Sequence, residues 1–140
     1  MSTDPQEWFA GQRRMLRMDR ASAALGMVIE RDDIDSVVVS MLVRDDMTNG
    51  FGLTHGGMVF ALADTAFALA CNDDDRIAVA AGADIAFLAP SRAGQTLTAA
   101  ARLRAGSGRS RLYDVTVTDE ANTVVAEFRG RSVTTRDTLT

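Results

Sequence analysis

The sequence contains no lysine: all fifteen of its cationic residues are arginine. Catalysis through a lysine Schiff base is thereby excluded. A single cysteine, Cys71, rules out an internal disulfide and any cysteine-based zinc site, and a single histidine, His55, rules out a multi-histidine metal site. A carboxylate-only magnesium site stays open on composition, but these scarcities argue against metal catalysis. No Gly-x-Ser-x-Gly elbow is present, so serine-hydrolase chemistry has no support. Net positive charge is also lacking. The net charge of −4 argues against nucleic acid as a partner, because neutralising phosphates needs a basic surface. The N-terminus lacks a basic-then-apolar signal pattern. The longest apolar run, Met58 to Cys71, is broken by Asp64 and falls short of the ~20 residues a membrane span needs. A cytoplasmic protein without a membrane partner is expected.

What is present is a chain of 140 residues, 46% apolar and 24% charged, as befits one soluble globular domain over 1–140. Asp4, Pro5 and Glu7 read as a helix start. Trp8, Met15, Met18 and Leu25 then recur at helical spacing, and Gly26 ends that segment. Residues 27–44 read as two strands around the polar turn Arg31-Asp32-Asp33, followed by a polar loop from Asp45 to Thr54. A helix is expected from about Gly56 to Asn72, then the acidic turn Asp73-Asp74-Asp75. Four strands complete the chain: a run through Val79 to Phe87 stopped by Pro90, then Thr96–Arg104, Arg111–Thr118 and Thr123–Val133. Residues 105–108 and 119–122 are short enough to be hairpin turns. One long helix within an antiparallel sheet makes the class α+β, with an additional N-terminal helix.

The central helix carries apolar residues on every face, which asks for burial all round. A curved sheet wrapped around it, the hotdog arrangement, would supply that. Asp64 and Thr65 interrupt this apolar cylinder. A buried carboxylate is costly without compensation. Asp64 is therefore either paired to an arginine or a neighbouring turn, or it is a base or nucleophile lining a cleft. Just before the helix, Thr54-His55-Gly56-Gly57 places two poor helix formers where free N–H groups and the helix dipole favour negative charge. Such donors suit an oxyanion hole for a carbonyl becoming tetrahedral.

Eight residues of helix separate Gly56 from Asp64, roughly 12 Å. A donor and a nucleophile serving one carbonyl must each come within about 3 Å of it. One straight helix cannot meet both demands. The spacing therefore predicts a composite site, with Gly56 of one subunit facing Asp64 of another in a two-fold homodimer.

Asn49-Gly50, His55-Gly56-Gly57, Leu62-Ala63-Asp64-Thr65-Ala66-Phe67 and Ala70-Cys71-Asn72 resemble the PaaI family, hotdog thioesterases of phenylacetate degradation. The likeness continues through Phe87-Leu88-Ala89-Pro90, Gly94-Gln95-Thr96-Leu97, Tyr113-Asp114-Val115 and Phe128-Arg129-Gly130. The resemblance implies an acyl-CoA thioesterase acting on aryl-acetyl-CoA, without a cofactor, as a dimer assembled to a homotetramer. It implies Asp64 as base or nucleophile and the Gly56 N–H as the carbonyl donor. Asn49 and His55 would orient substrate or water from the facing subunit, with Thr65 supporting the water beside Asp64. The chain departs from the family pattern at Ala86 and Ala89, where an acidic and a basic residue are common, and at Phe51-Gly52, where histidine and glutamine are familiar.

Simpler roles stand beside these. A lone histidine is more often structural, and His55 is read as positioning the loop or substrate. Asn49 is also a turn-forming type. Arg92, Arg109 and Arg111 are candidates for the CoA phosphates, Gly57 and Phe51 for substrate contact. Phe60, Phe67 and Met58 default to core. Two other classes compete with hydrolysis: a non-catalytic acyl-CoA binding module, which would not need Asp64, and a dehydratase or hydratase. The latter generally pairs a histidine with a separate carboxylate across the site, and here His55 abuts the glycine donor.

Overall fold

The computed structural model describes residues 19–72 and 76–136. The first part of the expected N-terminal helix and the acidic turn at 73–75 lie outside them. Within the described residues a short helix α1 (Arg20–Ala24) starts afresh at its own N-cap, Asp19, so the expected single helix does not run unbroken to its end, and Gly26, at φ +70, follows its close. The antiparallel hairpin of β1 (Val28–Asp33) and β2 (Ser36–Leu42) follows. Its turn falls at Ile34-Asp35 rather than at 31–33, because Asp35 adopts φ +63 while Asp32 and Asp33 pair with Val37 and Ser36. A 3-10 turn (Asp45–Met47) leads toward the central helix α2 (Gly56–Cys71). Then come β3 (Ile77–Phe87), β4 (Thr96–Ser107), β5 (Ser110–Thr118) and β6 (Val124–Arg136). The β4–β5 turn is tighter than the expected 105–108: pairing runs to Ser107 and Ser110, leaving Gly108 (φ +60) and Arg109 to close it.

All six strands form one antiparallel sheet in the order β1-β2-β4-β5-β6-β3, with α2 packed across it. Alternation sets the inner face: Val37, Val39 and Met41 of β2, Leu97, Ala99 and Ala101 of β4, and Tyr113, Val115 and Val117 of β5 are all buried. Against them α2 presents Val59, Leu62, Ala63, Ala66, Phe67 and Ala70. Phe67 stacks obliquely on Tyr113 and Phe128, each ring centre 5.7 Å away. It fills the space over Gly130, where a Cβ would lie 2.7 Å from its ring. The hotdog arrangement expected from the apolar helix is what forms.

The helix is not, however, buried all round within one chain. Ala61, Asp64 and Ala68, spaced three and four residues apart, form a half-exposed stripe. The sheet shows the same incompleteness. Its edge strand β3 is eleven residues long and exposed over most of its length, including apolar Val79 and Phe87. A long apolar edge is a template for further pairing.

The far end of α2 is tied down by a charged cluster. Asp35 accepts hydrogen bonds from the Tyr113 hydroxyl (2.6 Å) and from Arg76 (2.9 Å). Arg76 also donates to the carbonyls of Ala70 and Cys71, placing positive charge at the helix C-terminus. The lone thiol, Cys71, is buried, and desolvation pushes it up to about 11, so it is no nucleophile at neutral pH.

Candidate active site

The loop before α2 is built by its own hydrogen bonds. The Asn49 N–H donates to the Leu53 carbonyl (2.7 Å) and the Gly52 N–H to the Asn49 carbonyl (3.0 Å). The Asn49 side-chain Oδ1 accepts from the N–H groups of Phe51 (2.9 Å) and Leu53 (3.2 Å). Gly52 takes φ +75, a conformation side chains resist. Asn49 is thus the turn former its residue type suggests, through one end of its amide. Its NH2 group has no protein partner among the described residues, and Asn49 helps line the neighbouring cleft. The loop is clamped at its base: the Thr54 N–H donates to the Ser91 carbonyl (2.8 Å), and the Ser91 and Thr54 hydroxyls meet at 2.7 Å. Nothing in the residue types announced that clamp.

His55 caps the helix. Its Nδ1 accepts from the Gly57 N–H at 3.1 Å, so in the neutral ring the proton resides on Nε2. The Gly57 N–H is therefore engaged, whereas the Gly56 N–H has no partner among the described residues. The glycine matters at Gly56 because the Phe87 ring lies over it: a Cβ there would stand 3.2 Å from the ring. Asn49, Gly56, Phe87, Pro90, Ser91 and Val125 help line a cleft of about 310 Å³. Arg92, exposed, follows Ser91 at the cleft's edge, and Phe51 stands 87% exposed at the loop tip.

Asp64 is not in this cleft. It lies on the same uninterrupted helix as Gly56, eight residues along, which at 1.5 Å per residue is about 12 Å. Among the described residues it has neither a hydrogen bond nor an ion pair, so the reading of Asp64 as an arginine-paired or turn-capping carboxylate does not hold there. Burial, and secondly the charge of Asp19, hold its carboxyl above the usual carboxylate range. Next to it, Thr65 is buried, with its hydroxyl donating to the Ala61 carbonyl (2.9 Å) and meeting the Ser22 hydroxyl at 2.9 Å.

Arg109 and Arg111 stand at the opposite end of the sheet. Phe87 is level with Ala126 and Val117 across β6 and β5. Arg111 lies six residues up β5 from Val117, about 20 Å away at strand rise. Arg111 donates to the Thr134 hydroxyl (2.9 Å) and, with Arg131, lines a hollow of about 430 Å³ at the β4–β5 turn. One subunit thus joins Asn49, His55, Gly56 and Phe51 at one end, and separates them from Asp64, Arg109 and Arg111. No group of metal-ligating side chains occurs among the described residues.

Comparison with known proteins identifies the family. Residues 51–126 match the thioesterase superfamily. The acyl-coenzyme A thioesterase PaaI of Escherichia coli (strain K12) is 42% identical over 126 residues, covering 90% of each chain. The chain belongs to the PaaI family of hotdog acyl-CoA thioesterases. The structure of E. coli PaaI, from the phenylacetic acid degradation operon, superposes with a TM-score of 0.86 over 91% of this chain and 92% of that one. An N33D mutant of the phenylacetic acid degradation protein PaaI from Thermus thermophilus, 36% identical, covers 80% of this chain and 96% of its own, with a TM-score of 0.76. A Streptococcus mutans UA159 protein solved bound to acetyl CoA is 26% identical, with a TM-score of 0.76 over 81% of this chain and 91% of that one. This PaaI-family chain is therefore an enzyme that hydrolyses acyl-CoA thioesters. No helix among its described residues is long and apolar enough to cross a membrane.

Proposed function

We propose that the protein is a homodimeric thioesterase for aryl-acetyl-CoA, each of whose sites is completed by two subunits. The observation that carries this reading is the pair of unfinished halves. Among the described residues, the cleft at Gly56 has a free N–H donor and no carboxylate of its own chain. Asp64, half-buried and without a partner among those residues, lies about 12 Å away on a half-exposed stripe of that same helix. A two-fold axis crossing the helices antiparallel near residue 60 brings each Asp64 opposite Gly56 of the partner subunit. The exposed β3 edges lend themselves to pairing in the same assembly.

In that site the thioester carbonyl accepts from the Gly56 N–H, and the Asn49 amide and His55 Nε2–H are further donors on the same side. Asp64 of the facing subunit acts as base on water. The water proton passes to its carboxylate, the hydroxyl oxygen attacks the carbonyl carbon, and negative charge gathers on the oxygen held at Gly56. As the tetrahedral intermediate collapses, the C–S bond breaks and the CoA thiolate recovers the proton. The raised affinity of Asp64 for protons suits it to this task better than an ordinary carboxylate. Direct attack by the carboxylate, through a mixed anhydride, would use the same placement. The antiparallel dimer also carries the partner's β4–β5 turn toward the cleft that its Asp64 completes. Arg109 and Arg111 would therefore serve the CoA phosphates of the facing cleft, and Arg92 those of its own. The aryl-acetyl preference draws on the E. coli relative, whose operon degrades phenylacetic acid.

Free-thiol release from phenylacetyl-, hydroxyphenylacetyl-, benzoyl- and medium-chain acyl-CoA tests the proposal. The two aryl-acetyl thioesters should turn over fastest, and Asp64→Asn should lose about 10²–10⁴-fold in kcat, the usual worth of a general base. Unchanged release in Asp64→Asn overturns the assignment of Asp64, and a preference for medium-chain substrates overturns the acyl class.

A further inference from the structure

A hydrogen-bonded chain runs from α1 to the residue beside Asp64. Asp19, the N-cap of α1, accepts twice from Ser22: Oδ1 from its N–H at 3.0 Å and Oδ2 from its hydroxyl at 2.7 Å. The Ser22 hydroxyl, on a residue only 3% exposed, also meets the Thr65 hydroxyl at 2.9 Å. The proton count fixes the direction of this chain. A carboxylate only accepts, so the one Ser22 hydroxyl proton goes to Asp19. In the Ser22–Thr65 pair the proton must then come from Thr65, which shares it between Ser22 and the Ala61 carbonyl. The Thr65 oxygen is left with lone pairs, and its proton cannot turn toward the site.

We propose that Asp19 and Ser22 are positioning residues of the hydrolytic site, which lock the Thr65 hydroxyl as a hydrogen-bond acceptor for the water that Asp64 activates. The inference rests on the reading of Asp64 as the base. A water molecule that gives one proton to Asp64 needs an acceptor for its second proton if its attacking lone pair is to be aimed. A freely turning Thr65 hydroxyl would compete by donating to that same lone pair. The neighbouring charge acts alongside: among the described residues, the ionisable groups that bear on Asp64 are Asp19 from α1 and, along its own helix, the Cys71 thiol. Asp19 makes ionisation of Asp64 harder, so removing its charge should move the acid limb of activity to lower pH.

Ser22→Ala and Asp19→Asn, compared with wild type and Asp64→Asn across pH, test this. Asparagine caps helices as well as aspartate, so Asp19→Asn keeps α1 folded. Ser22→Ala should lower kcat about 5- to 10-fold with KM unchanged, the scale of one hydrogen bond lost in the transition state. Asp19→Asn, whose NH2 would donate to the Ser22 hydroxyl where Oδ2 accepts, should release the lock and lower kcat as Ser22→Ala does, and also shift its acid limb downward in pH, while KM holds. A Ser22→Ala enzyme whose kcat matches wild type, whatever its melting temperature, would reduce the chain to a structural anchor and overturn the proposal. So would an acid limb unmoved in Asp19→Asn. Loss of activity in Asp64→Asn alongside either result confines the failure to this inference; full activity in Asp64→Asn instead sinks the base assignment beneath it.

Discussion

Gly130 is the position where adding one methyl group should cost most. A Cβ built there lies 2.7–2.8 Å from three atoms of the Phe67 ring. Ordinary carbon–carbon contact is about 3.5–4.0 Å, so ring or strand must give by about 1 Å. Neither has room. Phe67 is 1% exposed and flanked by the Tyr113 and Phe128 rings, and β6 is held between β5 and β3, with Gly130 paired to both Tyr113 and Ala83. Overpacking of this kind costs about 1–3 kcal/mol, and the rigid surroundings argue for about 2–3 kcal/mol. For a domain of this size that lowers Tm by about 6–10 °C. Thermal unfolding followed by circular dichroism reads the shift. Adding Phe67→Leu should recover part of the loss, because the smaller side chain vacates the collision, giving a coupling that the two single variants do not sum to. A Gly130→Ala protein melting within about 1 °C of wild type would refute the packing argument. Since Phe67 follows Asp64 by three residues on α2, catalytic rate measured on the same variant reports how far the helix is displaced.

Removing the Tyr113 hydroxyl with Phe takes a charge-assisted bond from Asp35 at the C-terminal end of α2, and denaturant unfolding should register a loss of about 1.5–3 kcal/mol. Asp64→Asn should do the reverse. Because folding raises the carboxyl's affinity for protons, the ionised group is a burden that grows as pH rises from the unfolded pKa through the folded one. The inactive variant should therefore melt above wild type at neutral pH, with the gap closing below the unfolded carboxylate range. A gap that persists or widens in acid would contradict the sign.

The elements of the fold were legible in the sequence because their signals are local. The β-prone run from Val37 to Val43, the glycines at 26 and 56–57, and Pro90 mark segment types and ends. The turns were less so: Asp35 rather than the acidic run at 31–33 takes the left-handed conformation, and nothing in residue type distinguishes them. The distance between Gly56 and Asp64, on which the proposed composite site rests, was readable from spacing alone, since eight helical residues fix it whatever surrounds them. Occupancy of individual groups was not. That His55 would consume the Gly57 N–H, that Asn49 would spend its oxygen on the loop, and that Ser91 would clamp Thr54 depend on contacts brought together by folding. The Asp19-to-Thr65 chain spans 46 residues, beyond the reach of any local pattern, although Asp19 three residues ahead of Ser22 is a recognisable capping pair.

Subunit complementation tests the composite site most directly. Asp64→Ala and Asn49→Ala homodimers, each inactive on phenylacetyl-CoA, are mixed, exchanged and shown by native mass spectrometry to contain heterodimer. If Asp64 of one subunit serves the Asn49–Gly56 cleft of the other, each heterodimer holds one site with both lesions and one with none. Activity should return to about half the wild-type rate per heterodimer. Heterodimer that stays inactive would mean that Asp64 and Asn49 serve the same subunit's site, and the two-subunit account would be wrong.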